Sequence, residues 1–246
     1  MRKFLIAALA ALTALAAAAT LANGQEPPAG AELTITVSPT KAGTKKKPKP
    51  TKVSLDLRNE DSSQTADGIE IRMAKQIKVS TKGLKKCSAA KLEANGTGAC
   101  PKASRIGTGR AEAIAGVNTG APAALTFNIT AFVIGNNQLG FYLEQQGGNI
   151  NVLSKGRFKK ASGRYGSLLD IEIPSLAREF PPGTYNGLVS IETDLFKKIG
   201  KNALFKSTGC TSTRELPFEL KLHFMPNPGP PKASEVKATD GANCRK

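Results

Sequence analysis

The chain has 246 residues, 35 Lys and Arg against 19 Asp and Glu, a formal net charge of +16, no tryptophan and one histidine. That length suits one or two domains, and the charge favours polyanionic partners. The single histidine leaves general-base chemistry near neutrality with one candidate, and the lack of Trp thins the stacking platforms that saccharides and bases use.

Residues 1–24 join a basic start (Arg2, Lys3) to an apolar run from Phe4 to Leu21 and a small-x-small ending, Ala22-Asn23-Gly24. This is the pattern of a secretory signal peptide; at roughly 18 residues, mostly alanine, the run sits at the short limit for a membrane span. Cleavage near Gly24 would leave a net charge of +14 and place the mature chain outside the cytoplasm. No later stretch is apolar enough to span a membrane.

Residues 25–30 read as a flexible leader, and 31–246 as one domain ending in a Pro-rich tail over 226–246. Leu33, Ile35 and Val37 alternate with threonines in a half-buried strand that Pro39 closes. Residues 41–52, KAGTKKKPKPTK, follow with six lysines and two prolines. Proline bars this segment from a central strand or a helix. Lys41, Lys45, Lys46, Lys47, Lys49 and Lys52 are therefore either a polyanion-binding loop or a solvated connection whose charges discourage edge pairing. No aromatic residue interrupts them, so there is no specific nucleic-acid signature.

Val53, Leu55 and Leu57 form a second strand. Ile69, Ile71 and Met73 form a third, and Ile77 and Val79 continue it after an irregularity at 74–76. Ser88 can cap a helix of about two turns over residues 89–94, with Leu92 as its apolar anchor and Asn95-Gly96 as its end. Gly107-Thr108-Gly109 lacks the Gly-Lys-Ser/Thr ending of a phosphate loop and reads as turn chemistry. Leu125 to Ile134 is apolar on both faces, which points to a central strand. Alternating runs at 139–143, 150–158, 165–173, 189–195 and 216–224, separated by Gly, Asn and Pro turns, complete the pattern. The fold class expected is all-β: an antiparallel β-sandwich, or a related barrel, of about ten strands with a short disulfide-stapled helical insert.

Four cysteines in an oxidising compartment imply two disulfides and allow three pairings. Cys87 with Cys100 and Cys210 with Cys244 close the smallest loops and are favoured on that ground. Zinc is the rival, but the spacings are not CxxC pairs and His223 lies far from Cys87 and Cys100 in sequence. The tail should be loose unless Cys244 ties it back.

KAGTKKKP after the opening strand, then a cysteine, a short helix and CPKASRIGTGRA, resemble a group of exported actinobacterial β-rich proteins over about residues 31–245. The resemblance implies export and a β-rich fold; it brings no catalytic residues with it.

Chemistry-bearing constellations are few. His223 alternates with Leu222 and Phe224, so it should face solvent beside Lys221 and Glu219. Asp170 with Glu172, and Glu192 with Asp194, project from one strand face about 6.6 Å apart, a spacing open to glycosidase chemistry but common on any half-exposed sheet. No calcium-loop run occurs, and no catalytic, metal or cofactor-binding residue is expected. The asparagine sequons at Asn95 and Asn128 are read as chance matches. The expectation is a non-catalytic exported protein, structural or adhesive, held to an anionic cell-wall polymer or other polyanion by its basic surface. The alternative is a module binding an extracellular carbohydrate or small ligand.

Overall fold

A computed structural model describes residues 30–228 and 233–246, so the expected signal peptide and nearly all of the leader lie outside the described residues. The strands are β1 (Ala31–Ser38), β2 (Lys49–Pro50), β3 (Lys52–Asn59), β4 (Thr65–Ala74), β5 (Ile77–Val79), β6 (Arg105–Ala115), β7 (Ala123–Gly135) and β8 (Gln138–Gln145). They continue as β9 (Asn151–Lys160), β10 (Tyr165–Glu172), β11 (Asn186–Leu195), β12 (Lys198–Ile199), β13 (Asn202–Ala203), β14 (Phe205–Ser207), β15 (Glu215–Met225) and β16 (Glu235–Asn243). Two short helices, α1 (Ala89–Asn95) and α2 (Ser175–Arg178), interrupt them.

Eleven strands form one antiparallel sheet in the order β1-β3-β11-β6-β7-β8-β9-β10-β4-β15-β16. The sheet curls until its two outer strands, β1 and β16, lie alongside each other. At this seam the Ile35 amide donates to Asp240 Oδ2 at 2.6 Å. The fold is thus the expected antiparallel β architecture, bent into a nearly closed barrel whose opposing walls share one core. Alternation does the sorting: Leu216, Phe218, Leu220, Leu222 and Phe224 of β15 are all buried, while Glu219 and Lys221 between them are not.

Two expectations need correction, and two others are sharpened. The tail, expected to be loose unless Cys244 ties it back, is tied back to Cys210, and its residues 235–243 form β16, paired with β15 along its length from Glu215↔Asn243 to His223↔Glu235. Gly107 and Gly109 are not in a turn but within β6, where a Cβ would sit 2.1 Å from the Asp194 carbonyl oxygen and 2.1 Å from that of Glu192 respectively. Glycine is there because the β11 backbone approaches too closely for a side chain. Ile77 and Val79 do not prolong β4; as β5 they leave the barrel for a small sheet ordered β2-β14-β5. β7 is the central strand that its two-sided apolarity suggests, paired with β6 on one side and β8 on the other; its outer face is covered by the α1 insert, which buries Phe132 of β7, Tyr142 of β8 and Leu153 of β9 against Leu92 and Cys87.

That insert forms as its sequence suggests. Ser88 accepts from the Lys91 amide at 3.3 Å, and Gly96 at φ 66° ends the helix. Cys87 bonds Cys100 across its base, the Cys87 amide donates to the Val133 carbonyl at 2.9 Å, and Lys155 pairs with Glu93 at 2.7 Å. The second disulfide joins Cys210 to Cys244 and pins the end of β16 beside the start of β15.

Candidate functional site

Because every neighbouring pair in the sheet is antiparallel, successive connections alternate between two ends of the barrel. One end collects residues 39–51, 75–104, 136–137, 161–164, 196–214 and 244–246; the other collects 60–64, 116–122, 146–150, 173–185, 226–228 and 233–234. The first set carries twenty Lys and Arg and one carboxylate, Glu93; of these, Lys91 and Glu93 belong to α1, which lies over the outer wall. The second carries, among the described residues, Arg178 against Glu60, Asp61 and Glu179. The charge excess is therefore gathered at one end.

The barrel wall, by contrast, is largely balanced. Arg72 pairs with Glu70 at 3.5 Å and with Glu219 at 3.0 Å, Arg110 with Glu112 at 2.9 Å, Lys221 with Glu235 at 3.0 Å, and Lys159 with Asp170. Among the described residues no ion pair reaches Lys45, Lys46, Lys47, Lys49, Lys78, Lys197, Lys198, Lys201 or Lys206.

The small sheet organises this end. Lys206 of β14 stands opposite Lys78 of β5, and Ser207 opposite Lys49 of β2. Phe205, Ser207 and Ile77 turn inward and are buried, which leaves Lys78 and Lys206 on the outer side. Directly opposed like charges disfavour a strand pair, so their retention is a cost that binding of an anion would relieve. Residues 41–47 fold over the same end: Thr44 Oγ1 accepts from the Lys47 amide at 3.0 Å, and the Thr44 amide donates to the Lys47 carbonyl at 3.0 Å, a tight turn that presents Lys45, Lys46 and Lys47 to solvent.

Of the six lysines singled out in the sequence, the structure therefore keeps four in the patch. Lys41 is exposed at the same end, outside the turn at 44–47 and beside another cation, Arg245, where the Ala42 amide donates to the Arg245 carbonyl at 2.8 Å. Lys52 is engaged on the wall with Asp194 at 3.0 Å. Hydrogen bonds from the Ser54 hydroxyl and then Lys52 hold the Asp194 carboxyl below its usual range. Sequence reasoning missed Lys78 and Lys206, and also a groove of about 470 Å³ lined by Lys102, Arg105, Lys197 and Lys198 together with Asp194 and exposed Phe196. The signal that would have found them is the alternation of loop ends along an all-antiparallel chain, not any local motif.

The rival chemistries find no assembled centre. His223 is only half exposed, with Glu235 at 3.6 Å and Glu70 at 3.9 Å. It stands on the outer wall among ion pairs. Asp170 is occupied by Lys159, and Asp194 by Lys52 and Ser54. Glu192 lies opposite Arg110 in the β11–β6 register. Among the described residues no group of three His, Cys, Asp or Glu could hold a metal ion, and no helix is long and apolar enough to cross a membrane.

A second feature lies inside the barrel. A cavity of about 130 Å³ runs between the walls, lined by apolar side chains from Phe205 and Met73 near the basic end to Pro174 and Ala177 beside α2.

These features define a disulfide-stapled antiparallel β-barrel with a cationic end. No family model, no curated protein and no solved structure matches the chain.

Proposed function

We propose that this is a non-catalytic exported protein that docks through the basic end of its barrel on an anionic polymer of the cell envelope. The observation that carries the reading is the segregation of charge: twenty cations and one carboxylate in the connections at one end, above a wall whose charges pair with each other. An array of ammonium groups without carboxylate partners exchanges small counterions for a polymer's fixed charges, and the released ions drive binding. Lysine rather than arginine dominates the patch, which suits point-charge attraction to a flexible polymer more than bidentate recognition of one group. The expected export pattern of residues 1–24 and the two disulfides support an oxidising location.

The test is retention of the mature protein on an immobilised anionic polysaccharide across a salt series. Log retention should fall linearly with log salt, and the Lys45→Gln/Lys46→Gln/Lys47→Gln variant should show a slope shallower by roughly one per lysine contacting the polymer. Retention indifferent to salt, or to the triple substitution combined with Lys78→Gln and Lys206→Gln, would remove the reading.

A further inference from the structure

We infer that the barrel interior is a binding site for a slender, uncharged, chain-like apolar molecule bearing one hydroxyl, a site separate from the basic end. Ile71, Ala113, Leu143, Ile171, Leu188 and Ile191 all pack inward against the core, yet each remains only partly buried because it faces the cavity. Small side chains keep the space open: Ala66, Ala111, Ala113 and Ala177 line it where larger ones would close it. An apolar void of about 130 Å³ destabilises a fold while it stays empty and takes up an apolar guest readily.

Its shape follows from the strands. On β11 the lining runs from Asn186 to Leu195, nine steps of about 3.3 Å along a tilted strand, or roughly 20–25 Å along the barrel axis. A volume of about 130 Å³ between lining residues spread over that length describes a narrow channel, which fits a single alkyl chain. The lining holds three polar side chains, Ser154, Asn186 and Thr193, and none that is charged. Ser154 Oγ is already committed to the Glu172 carbonyl. Asn186 is 5 % exposed; its Nδ2 donates to the Ala177 carbonyl at 3.1 Å, while its Oδ1 accepts no hydrogen bond among the described residues. A buried acceptor without a donor is costly, and a hydroxyl on the guest would satisfy it. A carboxylate would instead bring a second acceptor and an unpaired charge into an apolar channel.

The experiment uses the whole mature protein without polymer. 12-Fluoro-1-dodecanol, whose fluorine resonance shifts and broadens on entering the barrel, serves as probe, with dodecanol, dodecane and dodecanoate as competitors. Stoichiometric probe binding is expected, displaced by dodecanol at concentrations about fivefold below dodecane, the advantage of one hydrogen bond, with dodecanoate at neutral pH weakest. Ala113→Trp and Ile171→Phe, which fill the channel from two walls, should weaken probe binding at least tenfold. In the unmodified protein the methyl resonances of Ile71, Ile171 and Ile191 should shift on titration with dodecanol while those of exposed Leu176 stay fixed, a readout that survives failure of either variant to fold. Absence of probe binding, binding undiminished in both filled variants, or shifts confined to Leu176 would overturn the site. Equal competition by dodecane and dodecanol would overturn the role of Asn186. None of these outcomes bears on salt-dependent docking at the basic end.

Discussion

Gly109 shows how much a single residue's absence of side chain can decide. Paired with Thr193, it lets the Glu192 carbonyl come to where a Cβ would stand, at 2.1 Å, with Thr193 Cγ2 at 2.7 Å. Backbone on a neighbouring strand cannot step aside as a flexible side chain would. Gly109→Ala is therefore expected to cost about 1–3 kcal/mol in urea unfolding, by forcing β6 and β11 apart; a variant as stable as the parent would show that the two strands have slack. From sequence these glycines are indistinguishable from turn residues, because both roles select glycine and only the partner strand tells them apart. Glu235 is a second case. Hydrogen bonds from Lys221 first, and from Lys237, hold its carboxyl below the ordinary glutamate value of about 4.5, against the opposing effect of burial. A carboxyl lowered on folding stabilises the native state above its unfolded value and loses that contribution as pH falls through the lower folded value. Stability should therefore decline with acidification below about pH 4.5, and Glu235→Gln should flatten that part of the profile while leaving less stability near neutrality. An unchanged acid profile in the variant would place the effect on other carboxylates.

At the scale of the element, the α1 insert and β16 show what alternation can and cannot convey. The cap at Ser88, the buried Leu92 and the glycine end at Gly96 are local features, and they were legible in the residues themselves. What the insert does was not: it folds back over the wall and buries Phe132, Tyr142 and Leu153, a long-range contact with no local signature beyond outward-facing apolar residues on three strands. Breaking the staple with Cys87→Ser/Cys100→Ser frees a loop of this size and should cost about 3 kcal/mol on a chain-entropy basis. Local loosening should appear as faster amide exchange at 88–99 and at the Cys87 amide, which bonds Val133. Loss of the whole sheet instead would mean that the staple supports the barrel and not only its cover. β16 escaped the sequence pattern because KATDGAN has few apolar residues to alternate, and Val236 and Ala242 are its buried hydrophobes. A seam strand is held by its pairing with β15 and by Asp240 receiving the Ile35 amide, interactions that composition does not announce.

At the scale of the whole molecule, the charge excess was plain in the composition, whereas its location was not. Only the cluster at 41–52 stood out in the sequence; the cations at 75–104 and 196–214 join it because strands that alternate in direction along the chain return every second connection to the same end. Net charge alone would attract any polyanion to any face, but a gathered charge gives a face and an orientation. The most direct measurement compares two variants with the same formal charge on one anionic polysaccharide at physiological salt. In one, Lys46, Lys47, Lys78 and Lys206 at the basic end become Gln; in the other, Arg58, Arg110, Lys155 and Lys159 on the wall do. The end variant is expected to lose binding at least tenfold and to show a shallower salt slope, with the wall variant staying within about twofold of the parent. Equal losses in the two would contradict a dedicated basic end and leave only a diffusely charged surface.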